Sequence, residues 1–177
     1  MLFIFGQVIG FIALVIGLSS FFQHNMVKFK LLAGASSIMW SISYYLLNGI
    51  TSSIILLTIA ARQIVSINTP KWNQSQIKLV CGFFVSITVM FTIITWHGYL
   101  SLLPLIASLI ATIAYFYSDP ITLRKRLLIT DVFWLVNSIA LQSYSHLIAS
   151  ILSIIINLIT IKKIINHEKN ILPEAEM

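Results

Sequence analysis

Two ionisable side chains lie inside long apolar runs of this sequence. Arg62 is about five residues from the end of one run, and Asp131 is about five residues from the start of another. A charge near the bilayer centre costs about 2.5–3.5 kcal/mol on insertion scales, so such residues face a bundle interior or a cavity. At about 1.5 Å per residue, both lie roughly 7–8 Å inside the same membrane boundary. This placement predicts a gate or a proton-coupled ion pair. Alternatively, Arg62 snorkels to the headgroups, and Asp131 caps its helix or pairs with Arg124 or Lys125.

Two tryptophans and two amides recur at a common interval. A shift of about 94 residues places Trp40 on Trp134 and Gln63 on Asn157. Trp offers a stacking face and an amide offers donors and acceptors, a combination that suits a neutral polyhydroxylated or amide solute. Asn137 adds an amide to the run that contains Trp134. We therefore predict a substrate-binding site from these five residues. Alternatively, the rings fill helix interfaces and the amides hydrogen-bond between helices.

Other chemistry has less support in the sequence. Pro104 is expected to act as a hinge, because proline removes a backbone hydrogen-bond donor. His97 and His146 fall in short turns, where we expect them to be exposed to solvent. No spacing matches a metal cluster, a glycine-rich nucleotide loop or a Ser–His–Asp set. The sequence therefore predicts neither an enzyme nor a cofactor.

Composition excludes a soluble globular domain. Apolar residues make up 58% of the chain and charged residues 9%, and the mean hydropathy is +0.95. A soluble domain would have about a quarter of its residues charged. The net charge of +6 is spread over short segments between apolar runs, which argues against nucleic acid as a partner. We predict an integral membrane protein whose partner is the lipid bilayer, and the composition leaves the oligomeric state open.

Seven apolar runs approach the roughly 17–25 residues that a membrane-spanning helix needs. They cover residues 2–22, 31–47, 50–67, 77–96, 100–118, 127–142 and 146–165. The first three runs correspond to the last three at the shift of about 94 residues, and the fourth has no counterpart. Because a three-helix unit reverses the chain direction, one linker helix makes the two copies parallel.

We therefore predict an all-α integral membrane fold with seven transmembrane helices in a 3+1+3 arrangement. Residues 1–67 form the first three-helix bundle, and residues 68–99 form a cytoplasmic loop and the linker helix. Residues 100–165 form the second bundle, and residues 166–177 form a cytoplasmic tail.

Every lysine and arginine falls on one side of this arrangement. They are Lys28, Lys30, Arg62, Lys71, Lys78, Arg124, Lys125, Arg126, Lys162, Lys163 and Lys169. Basic residues concentrate in cytoplasmic loops, so the N-terminus is predicted outside and the C-terminus in the cytoplasm.

An ordered set of short motifs spans nearly the whole chain. It consists of Gln7-x-x-Gly10, Phe21-Phe22, Phe29-Lys30, Gly49, Ala61-Arg62, Leu102-Leu103-Pro104, Trp134, Asn137 and Asn157. In this order and spacing the set resembles the YgjV-type bacterial inner-membrane proteins. The resemblance implies location in the bacterial inner membrane and does not imply a particular activity.

The 3+1+3 plan is also similar to the SWEET and PQ-loop transporters, which carry sugars or amino acids between two three-helix bundles. Gln23 stands where that superfamily's Pro-Gln turn would place its Gln, with Phe22 instead of Pro and Tyr117 in the second copy. The similarity implies a transporter of a small neutral solute, sugar or amino-acid-like. The alternative is a non-transporting membrane scaffold or assembly component.

Overall fold

The computed structural model describes residues 1–21, 23, 25–117 and 120–171. This part of the chain contains seven α-helices and no β-strand. The helices are α1 (Leu2–Phe21), α2 (Met26–Leu46), α3 (Ile50–Val65), α4 (Gln74–Ile94), α5 (Leu102–Tyr117), α6 (Pro120–Ala140) and α7 (Tyr144–Ile171). Short 3₁₀ segments, Ser66–Lys71 and Tyr99–Ser101, follow α3 and precede α5. Phe22 and residues 172–177 of the predicted tail lie outside the described residues.

Five of the described helices are long and apolar enough to cross a membrane. The candidate spans are Leu2–Ser20, Ile50–Thr69, Gln74–Ile94, Tyr99–Phe116 and Tyr144–Lys162. Helices α2 and α6 are not among them; both carry basic residues near their starts and further polar residues along their length. The all-helical membrane class is confirmed, and seven crossings remain a prediction.

Helices α2 and α6 begin earlier than the hydropathy pattern predicts. The side chain of Asn25 caps α2 by accepting two backbone hydrogen bonds from its first turn. Helix α6 begins at Pro120, whose fixed φ suits the first helical position. Several basic residues predicted in turns are therefore helical, namely Lys28, Lys30, Arg124, Lys125 and Arg126. At the other end α7 continues to Ile171, so residues 166–171 of the predicted tail are helical too.

The turn between α2 and α3 has the same form as the turn between α6 and α7. Asn48 and Gln142 both adopt the left-handed conformation, with φ of 61° and 53°. The six-to-one hydrogen bonds that close the two turns are Gly49 N–H to Tyr44 O at 2.8 Å and Ser143 N–H to Ser138 O at 2.9 Å. Both turns are thus Schellman-type helix ends. The shift of about 94 residues also relates Asn48 to Gln142, and the two residues share this backbone geometry.

Each half of the chain has one helix packed between two others. Helix α2 contacts α1 and α3, α6 contacts α5 and α7, and α4 contacts α3 and α5. Two further contacts, α1 with α7 and α3 with α5, join the halves. Hydroxyl groups support these contacts, since Ser36 Oγ donates to Ala13 O at 2.8 Å and Ser43 Oγ donates to Gly6 O at 2.7 Å. The core cluster comprises Ala13, Trp40, Tyr44, Ile55, Leu56, Ala107 and Trp134.

Candidate functional site

A cavity of about 190 Å³ lies between α1, α2, α6 and α7, beside the core cluster. Liquid water occupies about 30 Å³ per molecule, so the space corresponds to roughly six waters. Part of the lining is apolar and includes Leu14, Leu18 and Ile156. The polar and aromatic lining is Trp40, Asp131, Trp134, His146, Ser150 and Ser153. Three residues predicted for the site from sequence, Trp40, Trp134 and Asp131, are thus brought together here.

The His146 imidazole joins the two tryptophans into one aromatic cluster. Its ring centroid lies 5.2 Å from that of Trp134 with the planes 18° apart, a stacked arrangement. The Trp40 centroid is 4.3 Å away with the planes tilted by 35°. Tyr44 meets the imidazole edge-on at 5.1 Å. The cluster holds both indoles at the cavity in defined orientations.

Two buried polar atoms at this cavity have no hydrogen-bond partner within the described residues. They are Nδ1 of His146, a residue 9% exposed, and Oγ of Ser150, a residue 3% exposed. An unmatched buried donor or acceptor costs about 1–3 kcal/mol. Both residues belong to the cavity lining, but these two atoms themselves are covered by neighbouring protein atoms.

The Asp131 carboxylate is held by neutral donors from α7. Its Oδ2 accepts hydrogen bonds from Ser153 Oγ at 2.8 Å and Asn157 Nδ2 at 2.9 Å. Asn157 Oδ1 in turn accepts from Arg124 Nη1 at 3.0 Å. The Asn157 amide therefore stands between the guanidinium and the carboxylate, and it acts through Asp131 rather than as a lining residue.

Arg62 lies between α3 and α5 and is 4% exposed. Its Nη1 donates to Thr112 Oγ1 at 2.5 Å and to Ser108 O at 3.4 Å. The guanidinium carbon lies 5.2 Å from the centre of the Tyr115 ring, within cation–π range. The predicted contact between Arg62 and Asp131 is not among these bonds, and snorkelling to the headgroups does not fit the burial. The two residues lie at similar depths, but Arg62 faces α5 and Asp131 faces α7.

The Arg62 contact and the cavity occupy corresponding places in the two halves. At the repeat interval Arg62 corresponds to Ile156, Ser108 to Leu14, and Thr112 to Leu18. Ile156, Leu14 and Leu18 form part of the cavity lining, whereas their counterparts make the guanidinium contact. The Arg62 side chain therefore joins the halves of the chain at the α3–α5 contact. The α1–α7 contact borders the cavity instead.

The family comparison matches residues 4–168 with the family described as Imp-YgjV, bacterial inner membrane protein. The chain belongs to this family. Membership in Imp-YgjV, together with several helices able to span a membrane, identifies a protein of the bacterial inner membrane that contacts the lipid bilayer. No curated protein and no solved structure matches the chain. The expected similarity of this Imp-YgjV protein to SWEET and PQ-loop transporters is not supported by these comparisons.

The remaining sequence candidates of this Imp-YgjV protein lie away from the cavity lining. Asn137 Nδ2 donates to Ser52 Oγ at 3.1 Å and so joins α6 to α3, as the alternative reading expected. Gln63 is buried on α3. Pro104 occupies the first turn of α5, where a backbone N–H has no partner within the helix in any case. The reason for predicting a hinge at Pro104 is therefore removed.

Sequence reasoning missed His146 and Ser150. The prediction that His146 is exposed is wrong, because the residue is stacked between Trp40 and Trp134. A usable signal was present in α7 of this Imp-YgjV protein. Polar residues recur there at spacings of four, three and four, which places them on one helix face, and they are His146, Ser150, Ser153 and Asn157.

Proposed function

We propose that this Imp-YgjV protein transports a small solute without net charge, sugar or amino-acid-like, across the bacterial inner membrane. The solute binds in the cavity between α1, α2, α6 and α7. The observation that carries the proposal is a cavity of about 190 Å³ whose lining includes two indoles, an imidazole and the Asp131 carboxylate. A concave site with apolar and aromatic walls and a few polar atoms is typical of small-molecule recognition.

The helix contacts support a transporter architecture of two three-helix bundles joined by α4. Under the repeat, the α1–α7 contact corresponds to the α3–α5 contact. In repeat-built transporters the substrate site lies between the repeats, and one repeat rocks against the other. The cavity borders one of these two contacts, as that mechanism requires. The basic residues support an outside N-terminus and a cytoplasmic C-terminus.

A second candidate function is a non-transporting scaffold or assembly component. It is favoured by the commitment of Arg62 and Asn137 to bonds between helices. On this account the polar interior stabilises the helix bundle, and the cavity has no solute to bind. The two functions differ in one measurable property, the flux of solute across a sealed membrane.

The test is uptake by proteoliposomes that contain the purified full-length chain. The probes are radiolabelled alanine, serine, glucose and glucosamine, and empty liposomes give the background. Two matched variants separate site from fold. Trp134→Leu removes a ring from the cavity, and Trp96→Leu removes a ring that is 46% exposed near the end of α4.

The proposal expects uptake of at least one probe, loss of that uptake in Trp134→Leu, and near wild-type uptake in Trp96→Leu. A folded wild-type protein that takes up none of the four probes would favour the scaffold. If both variants take up the probe at the wild-type rate, the solute does not bind in this cavity.

A further inference from the structure

We infer that the cavity recognises its solute through a protonated amine, with the Asp131 carboxylate as the counter-ion. This rests on the proposed function, which allows a sugar or an amino-acid-like solute, and it selects between those two classes. The inference comes from the charge around the cavity, from the free oxygen of the carboxylate, and from comparison with the other half of the chain.

The charge in the cavity lining is negative. Among the described residues, Asp131 is the only acidic residue of the lining, and neither lysine nor arginine contributes to it. The nearby Arg124 guanidinium bonds to the Asn157 amide, and its charge also acts on the carboxylate. A carboxylate inside a membrane bundle is stabilised by a positive partner. Among the described residues, the hydrogen-bond donors on this carboxylate are the neutral side chains of Ser153 and Asn157.

The carboxylate has one oxygen available to a guest. Both hydrogen bonds that it receives within the described residues end on Oδ2. Oδ1 can therefore accept from an ammonium group in the cavity. The two indoles that line the same space add attraction for a cation, since Trp has the strongest aromatic cation–π interaction.

The other half of the chain supplies its own cation at the corresponding place. There the Arg62 guanidinium lies over the Tyr115 ring and bonds to the Thr112 hydroxyl. The repeat counterpart of Arg62 is Ile156, an apolar residue without a hydrogen-bond donor. Ile156 lines the cavity. The α3–α5 contact thus has an internal cation with an aromatic and a hydroxyl partner. At the cavity the aromatic, hydroxyl and carboxylate partners are present, and the solute supplies the cation.

The volume suits a small amine. A space of about 190 Å³ can hold a small amino acid, whose ammonium and carboxylate leave it without net charge. The chemical class is therefore a small solute with a protonated amine and one or two further hydrogen-bonding groups.

The test compares pairs of solutes of equal size, in which one member has an amine where its partner has a hydroxyl. The chain has four tryptophans, so a Trp72→Phe, Trp96→Phe background leaves only Trp40 and Trp134 as fluorescent reporters. Titrations of the full-length protein in lipid nanodiscs use ethanolamine against ethylene glycol and glucosamine against glucose. We expect the amine of at least one pair to change the fluorescence with a dissociation constant about tenfold or more below that of its hydroxyl partner.

Two variants assign the preference to Asp131. Asp131→Asn keeps an oxygen acceptor for Ser153 and removes the charge, and it should abolish the difference between amine and hydroxyl partners. Asp131→Glu keeps the charge and should restore part of the difference. The inference would be overturned if the wild-type cavity bound the amine and hydroxyl partners equally, or if it bound neither amine. Either result would leave the proposed transport of a small solute standing. If amine binding changes in Asp131→Asn and Asp131→Glu as expected, but proteoliposomes take up no probe, the result would support the inference and contradict the proposed transport.

Discussion

The Tyr44 hydroxyl lies 3.0 Å from Oγ of Ser138, the residue 94 positions further along the chain. This is the same interval that relates Trp40 to Trp134 and Asn48 to Gln142. Tyr44 lies on α2 and Ser138 on α6, so this bond joins the middle helices of the two halves.

The first prediction concerns this bond. Tyr44→Phe and Ser138→Ala, combined in a double-mutant cycle, should show a coupling free energy of about 0.6 kcal/mol and not above about 1.7, the range for hydrogen bonds between membrane helices. Reversible unfolding in mixed micelles measures it. The neighbouring Tyr45 is 63% exposed, so Tyr45→Phe with Ser138→Ala is the matched control and should show no coupling. Coupling of equal size in both cycles would contradict a direct bond between Tyr44 and Ser138.

The second prediction tests the guanidinium contact between α3 and α5. Thr112→Val removes an acceptor from buried Arg62, and the loss of a hydrogen bond to a charged group should lower the free energy of unfolding by about 1.5–3 kcal/mol. Thr92 is an equally buried threonine on α4 that also donates to the carbonyl four residues earlier. Thr92→Val is thus the matched control, with an expected loss below about 1 kcal/mol. Similar losses in the two variants would show that Arg62 gains nothing from Thr112.

The third prediction concerns the contact between α1 and α7. A Cβ at Gly10 would lie 2.2 Å from Ser145 Oγ and 2.9 Å from Ser43 Oγ, so Gly10→Ala forces these hydroxyls, or the helices that carry them, to move. We expect a loss of about 1–3 kcal/mol in unfolding free energy, typical of an overpacked interior. Gly82→Ala is the control, because a Cβ there meets nothing within 4 Å, and it should be neutral or slightly stabilising. A neutral Gly10→Ala would argue against close packing of α1 on α7.

The fourth prediction separates the two halves of the repeat. Asn157→Leu removes one of the two donors on Asp131 and the partner of Arg124, so uptake should fall by roughly tenfold while the amount of protein in the membrane stays unchanged. Gln63, its counterpart in the repeat, is buried but lies away from the cavity lining, so Gln63→Leu should leave uptake within about twofold of wild type. Uptake in proteoliposomes and quantitative immunoblotting measure the two quantities. Normal uptake by Asn157→Leu would remove Asn157 from the site.

The sequence predicts the helices for an identifiable reason. Apolar length locates the seven helices, and the repeat interval relates Asn48 to Gln142, which share one turn geometry. The sequence places Trp40 and Trp134 at a solute site and Asp131 at a gate with Arg62, whereas in the structure Trp40, Trp134 and Asp131 line one cavity.

The wrong predictions used the position of a residue along its helix and ignored the direction in which its side chain points around the helix axis. Arg62 and Asp131 lie at similar depths, but they face different neighbouring helices and bond to different partners. His146 was assigned to a turn because the apolar run begins there, whereas α7 begins at Tyr144 and carries the imidazole into the aromatic cluster. The pattern of polar residues along one face of α7 contains the missing rotational information.

The most direct test of the account is uptake by Ser150→Leu in proteoliposomes, with the probe that wild-type protein takes up fastest. Leucine fills part of the cavity and removes a buried hydroxyl without a partner among the described residues, and the repeat counterpart of Ser150 is already Leu56, which is 4% exposed. The account predicts that uptake is lost while the free energy of unfolding stays the same or rises. Uptake at the wild-type rate in this variant would contradict a solute path through the cavity.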